Sequence, residues 1–465
     1  MGSTTSLPAM LKPRTVVVVA IVAVLALVAT ACDSSGADET TTTTSEPAAG
    51  ESSTTTTAPP VTSIPSDSIP GSSSASIAPE VADRMRADIG VIILDVEESR
   101  GLPFLAVPTV TILDEAEFTA RVNEQLVTEL DAEEIDSQDA MFTLLGMLAP
   151  DDDLRQLLLD LYTEQVAGFY DPDAKELVVP VSVDGITPLQ EIVIAHELTH
   201  ALTDQHFDFN VEFERRVDEG TVDDASAILA LVEGDATYQQ FLYLESLDPA
   251  EAAAAALEAM TMQSPVLQAS PEWLQKDLSF PYEQGLVFTG YLVSGDGLRG
   301  IDQAYQSPPL TTEQILDPTK YTRGEGPETL AALTVSLSGW DLADEASLGE
   351  WGTRLLLTDT LAPGELARAA SGWGNDTYRL FRNGDDTAFV WSYLAETDTD
   401  AEELTNGLIA HARTAMGAGS TEESGGGLLF TGSPYVFIDR IDDAVFFIAS
   451  TDAAAGSDLR SQLGL

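Results

Sequence analysis

The stretch from Thr187 to Leu202 constrains the fold of this chain more than any other. Thr187-Pro188-Leu189-Gln190 has the form of a helix start. It offers a capping hydroxyl, a proline at the first helical position where a missing N–H costs nothing, and a glutamine able to reach back to the cap. Ile192-Val193-Ile194-Ala195 follows without a polar break, so the helix is expected to run into the interior. It then carries His196, Glu197 and His200. Polar groups on a buried helix need partners, so this helix predicts a site as well as an element.

Four residues turn an α-helix through about 400°, which puts His196 and His200 on nearly one face. Two imidazoles so placed can bind one Zn²⁺, with a third protein ligand leaving the fourth position to water. Glu197 lies one residue round, beside such a metal rather than on it, where a general base for the attacking water belongs. The competing reading is a buried helix whose histidines only satisfy backbone carbonyls. Histidine is scarce here, with His196, His200, His206 and His411 the whole complement, so a chance pairing at this spacing is rare.

Two residues compete for the third ligand. His206 follows His200 by six residues, the metzincin spacing, yet six residues on a straight helix is about 600° and turns the ring away. A metzincin breaks its helix with glycine where this chain has Thr203. Glu233 lies in Leu231-Val232-Glu233-Gly234-Asp235-Ala236, on a second helix expected over Val222 to Leu244. Its neighbours are small and apolar, and Gly234 would let the two helices approach closely. Asp204 and Asp235 are candidates to orient a ligand imidazole. Tyr170, Tyr238 and Tyr282 are candidates to stabilise an oxyanion, with His411 remote in sequence.

His196 to Leu202 (HELTHAL), followed by Glu233-Gly234-Asp235-Ala236, resembles the gluzincin branch of zinc metallopeptidases, and more narrowly a set of uncharacterised secreted bacterial proteins. Gly168-Phe169-Tyr170-Asp171-Pro172, Phe280-Pro281-Tyr282-Glu283-Gln284-Gly285 and Thr311-Thr312-Glu313-Gln314-Ile315-Leu316 add to the likeness, which covers about Glu164 to Tyr321. The resemblance implies His196, His200 and Glu233 as zinc ligands and Glu197 as base. It also implies that the extended segment before the site helix is an edge strand for substrate. Some gluzincins carry Asp four residues after the Glu ligand; Thr237 stands there instead.

The front of the chain reads as an address. Lys12 and Arg14 precede a nearly unbroken apolar run from Val16 to Val28, and Ala29-Thr30-Ala31-Cys32 resembles a lipobox, with Ala29 where Leu is more usual. Residues 1–32 are therefore expected to be a lipoprotein-type signal, leaving the only cysteine, Cys32, as a lipid anchor at the extracytoplasmic face. The alternative is an uncleaved transmembrane anchor. Residues 33–76, rich in Thr, Ser and Pro, are expected to form a disordered stalk. A net charge of -56 argues against nucleic acid or anionic lipid as a partner.

The expected architecture is α+β. A mainly helical, zincin-like peptidase domain spans 77–328 and a smaller α+β domain spans 329–465. In the latter, Asn383-Gly384 marks a hairpin within a β-β-α-β-β order. The expected function is membrane-anchored zinc-dependent hydrolysis of peptide bonds. A scaffold lipoprotein without turnover and an amidase acting on cell-wall peptide are the alternatives.

Overall fold

The computed structural model describes Val18–Val19 and residues 64–465, except Leu130, Asp131, Val166, Gly220 and Gln263. The expected signal apart from Val18–Val19, Cys32 and most of the expected stalk lie outside the described residues. No helix among those described is long and apolar enough to cross a membrane.

The first unit sets a five-stranded sheet against helices. Its strands are β1 (Val18–Val19), β2 (Gly71–Ser73), β3 (Thr109–Leu113), β4 (Phe169–Asp171) and β5 (Glu176–Pro180), in the order β1-β4-β5-β3-β2. β2, β3 and β5 run parallel, whereas β4 is antiparallel to both β5 and β1. Helices α1 (Pro79–Arg100), α2 (Glu115–Glu129), α3 (Ala132–Leu144) and α4 (Leu154–Gln165) intervene. Next come α5 (Pro188–Phe207), α6 (Phe209–Glu219), α7 (Val222–Ser246), α8 (Pro249–Thr261), α9 (Pro265–Ala269) and α10 (Glu272–Asp296). Three short helices, α11 (Leu298–Gln306), α12 (Thr312–Leu316) and α13 (Pro318–Arg323), complete the unit. The three middle strands, β4, β5 and β3, bury both faces. Val110, Ile112, Leu177 and Val179 pack on Ile89, Ile93, Ile192 and Leu198 of α1 and α5, and Phe169 and Val178 pack on Phe118 and Val122 of α2.

The last part of the span expected to be stalk is structured. Ser66–Ser68 forms a 3₁₀ turn, and Gly71–Ser73 pairs with Val110–Ile112. Ile69 is buried on α1, and a side chain at Gly71 would collide with the Val110 carbonyl. Polar composition concealed a strand that contributes backbone hydrogen bonds rather than apolar surface.

The second unit holds a seven-stranded antiparallel sheet. Its strands are β6 (Asp341–Ala346), β7 (Trp373–Asn383), β8 (Asp386–Ala395), β9 (Ser420–Ser424), β10 (Gly427–Thr431), β11 (Tyr435–Ile441) and β12 (Ala444–Ser450). They lie in the order β6-β7-β8-β12-β11-β10-β9. Its helices are α14 (Gly349–Leu357), α15 (Pro363–Ala370), α16 (Asp398–Thr414) and α17 (Ala453–Leu463). The hairpin turns at Gly384, whose φ of 60° suits glycine. The expected β-β-α-β-β order is incomplete, because β6, β9 and β10 are also present. Two of them, β6 and β9, are the sheet's edges, and the Ser420–Ser424 run is almost wholly exposed, so neither carries the alternation that marks a half-buried strand. One apolar core crosses between the units, joining Phe142, Leu158 and Trp273 to Tyr378, Trp391 and Leu408.

Candidate metal centre

α5 begins as its sequence requires. Thr187 Oγ1 accepts from the Gln190 N–H at 3.2 Å, and Gln190 Oε1 accepts from the Thr187 N–H at 3.1 Å. From Ile192 to Asp204 the helix is buried without interruption, and His196, Glu197 and His200 are wholly enclosed. α7 has its own capping box at Thr221 and Asp224, and it packs along α5. That packing brings Glu233 to the two histidines.

Glu233 Oε2 lies 3.1 Å from His196 Nε2 and 3.5 Å from His200 Nε2. One donor atom from each residue falls within 4.8 Å of the others. Three ligands about 2.0–2.1 Å from a tetrahedral ion sit roughly 3.3 Å apart, so the residues fit such an ion without large movement. The orphaned atoms agree. Among the described residues, His200 Nδ1 has no hydrogen-bond partner and Nε2 has only the long approach to Glu233. Burial pushes the His200 imidazole down to about 4, against the pull of Glu233. For Glu233, burial acts upward and the adjacent imidazoles outweigh it, holding the carboxyl below its ordinary value. A neutral His200 ring beside an ionised Glu233 carboxylate suits a cation.

Glu197 points elsewhere on the helix. Its Oε2 accepts the Tyr170 N–H of β4 at 2.9 Å, tying this carboxylate to a strand that lies between β1 and β5 in the first sheet. The Tyr282 ring of α10 stacks 6.1 Å from the His196 ring, and Phe209 lies 6.3 Å from His200. Tyr170 donates its hydroxyl to Asp204 at 2.7 Å, and Lys175 reaches the same carboxylate at 2.6 Å. Tyr238 is half-buried on α7.

As its helical spacing implied, His206 turns to the surface side of α5 and meets the Pro103 carbonyl at 2.7 Å, away from His196 and His200. Other expected placements are corrected. Asp235 does not orient an imidazole: it forms a buried pair with Arg100, both carboxylate oxygens 3.1 Å from Nε. Asp204 serves Tyr170 and Lys175 instead. Gly234 does provide a close helix crossing, but with α10, where it abuts Gly285, rather than with α5. His411 belongs to the second unit, between Thr360 Oγ1 and the Leu145 carbonyl. The partner of His196 is Gln240, whose Oε1 lies 3.1 Å from Nδ1. Gln240 follows Glu233 by seven residues, two helical turns on the same face, and that spacing could have singled it out.

A family described as a domain of unknown function (DUF8575) matches residues 337–460, which lie in the second unit. No curated protein matches the chain, and neither does any solved structure.

Proposed function

We propose that this chain is a zinc metallopeptidase, anchored through Cys32 at the extracytoplasmic face of the membrane and acting on peptide or protein substrates. The convergence of His196, His200 and Glu233 in one buried cluster, with Glu197 on the same helix, supports this reading above all else. The zincin-like identity of the first unit belongs to the same proposal. Bound zinc would polarise the scissile carbonyl and make water acidic enough to deprotonate near neutral pH.

The chain's own residues supply the rest. His196, His200 and Glu233 would hold the ion, two through neutral nitrogen and one through charged oxygen. Glu197 would take the proton of the attacking water and return it to the leaving amine. Its anchorage to the Tyr170 N–H fixes that carboxylate relative to β4. In the described structure β1 (Val18–Val19) occupies the outer side of β4. Processing at Cys32 would remove it and leave an edge along which an extended substrate would pair in the same antiparallel sense.

Metal analysis and a substrate screen on the full chain test the reading together. The expected result is about one zinc per chain, lost in Glu233→Ala, with cleavage of peptide substrates by the wild type alone. A panel of cell-wall fragments beside protein substrates separates an amidase from a peptidase. A wild type that takes up no zinc after reconstitution would sink the proposal.

A further inference from the structure

We infer that Gln240 is the positioning residue of this centre: it holds His196 by Nδ1 and thereby presents Nε2 to the metal. The inference rests on the metal site of the preceding reading, though not on peptidase activity.

The geometry is one-sided. Gln240 is almost fully buried, and its Oε1 lies 3.1 Å from His196 Nδ1, while His196 Nε2 faces Glu233. An amide oxygen only accepts, so Nδ1 carries the proton and Nε2 is the nitrogen left to bind a cation. His200 Nδ1 has no such partner among the described residues. One helix, α7, therefore supplies both a ligand, Glu233, and the group that orients a ligand on α5. Sliding α7 against α5 would disturb both together.

The second amide atom carries the argument further. Gln240 Nε2 is buried with no hydrogen-bond partner among the described residues. An unpaired buried amide is a liability to stability, and an unbranched apolar side chain of equal length would remove it. Folding alone therefore gives no reason for glutamine here, whereas orientation of His196 does. The amide is also uncharged. Partners of metal-bound histidine are often carboxylates, which raise the basicity of the ring. This centre is accordingly set to bind zinc less tightly than a carboxylate-backed one.

Zinc affinity of the full chain, measured by competition with a chelating indicator, tests this with Gln240→Met and Gln240→Glu. Gln240→Met should weaken zinc binding by about 10–100-fold while leaving the melting temperature of the zinc-free protein unchanged or raised. Gln240→Glu should bind as tightly as wild type or more tightly. Wild-type affinity in Gln240→Met, or equal loss in both variants, would overturn the inference. A wild type that binds no zinc would remove the metal site itself, a separate failure. Should Gln240→Met not fold, long-range ¹H–¹⁵N correlation on histidine-labelled, zinc-loaded wild type decides, because the four histidines are resolvable. Zinc on His196 Nε2 with a protected Nδ1 proton is expected, and zinc on Nδ1 would overturn it.

Discussion

Glu197 shows how much of a site rests on one side chain's surroundings. Its carboxylate accepts from the backbone of β4 and lies on the helix that carries both histidines. Glutamine preserves the shape and an accepting oxygen but has no basicity. Glu197→Gln is expected to keep zinc at wild-type stoichiometry and to lower kcat by at least ~10²-fold, read by metal analysis beside peptide hydrolysis. Retained turnover would remove Glu197 as base. His206 provides the contrast. Its bond to the Pro103 carbonyl is worth ~1 kcal/mol by the usual yield of such contacts, so His206→Ala should lose a little stability in urea titration and no zinc. The HExxH pattern was legible because helical periodicity alone aligns its two imidazoles. Gln240 was not, because its role depends on which face of α7 meets α5.

At the scale of elements, the crossing of α7 and α10 governs the centre. Gly234 and Gly285 meet backbone to backbone, and a Cβ on Gly285 would lie 2.1 Å from the Ala230 carbonyl oxygen and 3.0 Å from Gly234 Cα. Neither neighbour is a flexible side chain, so the helices must part. Gly285→Ala should destabilise by ~1–3 kcal/mol, the range for overpacked interiors, visible as a lower urea midpoint. Because α7 also carries Glu233, zinc affinity should fall in the same variant. Unchanged stability and affinity would mean that the two helices can separate without moving the site. The site helix was readable from its capping residues, and most long helices from their apolar stripes. β2 and β9 were not, since an edge or a polar strand is specified by its neighbour's hydrogen-bonding groups.

Across the whole molecule, the two units are joined by a shared apolar core and by single polar contacts such as His411. Its Nε2–H donates to the Leu145 carbonyl at 2.8 Å, and its Nδ1 accepts from Thr360 Oγ1 at 3.0 Å. The bond accepted by Nδ1 requires the neutral ring, and burial lowers the His411 pKa in the folded chain, outweighing the upward pull of the Leu145 carbonyl. The unfolded chain, with an ordinary value of about 6.5, then binds more protons below that pH. The contribution of His411 is complete above that value and is lost as the pH falls below it. Melting of the zinc-free protein between pH 7 and 5 should therefore decline more steeply in wild type than in His411→Gln. Equal slopes would show that His411 titrates alike in both states.

The sequence by itself determined the site helix, its cap, the inward run and the pairing of His196 with His200, because these follow from local periodicity and end chemistry. It also carried the Asn383-Gly384 hairpin, which depends on a two-residue turn. Glu233 was implied by the resemblance and His206 disfavoured by its spacing, but only the tertiary structure brought Glu233 beside the histidines and decided that Gln240 backs His196 and that Asp235 is bound to Arg100. Each of these contacts spans 37 to 135 residues. Such contacts are set by the rotation and approach of helices against one another, which in turn follow from glycine contacts and core packing that no single segment contains.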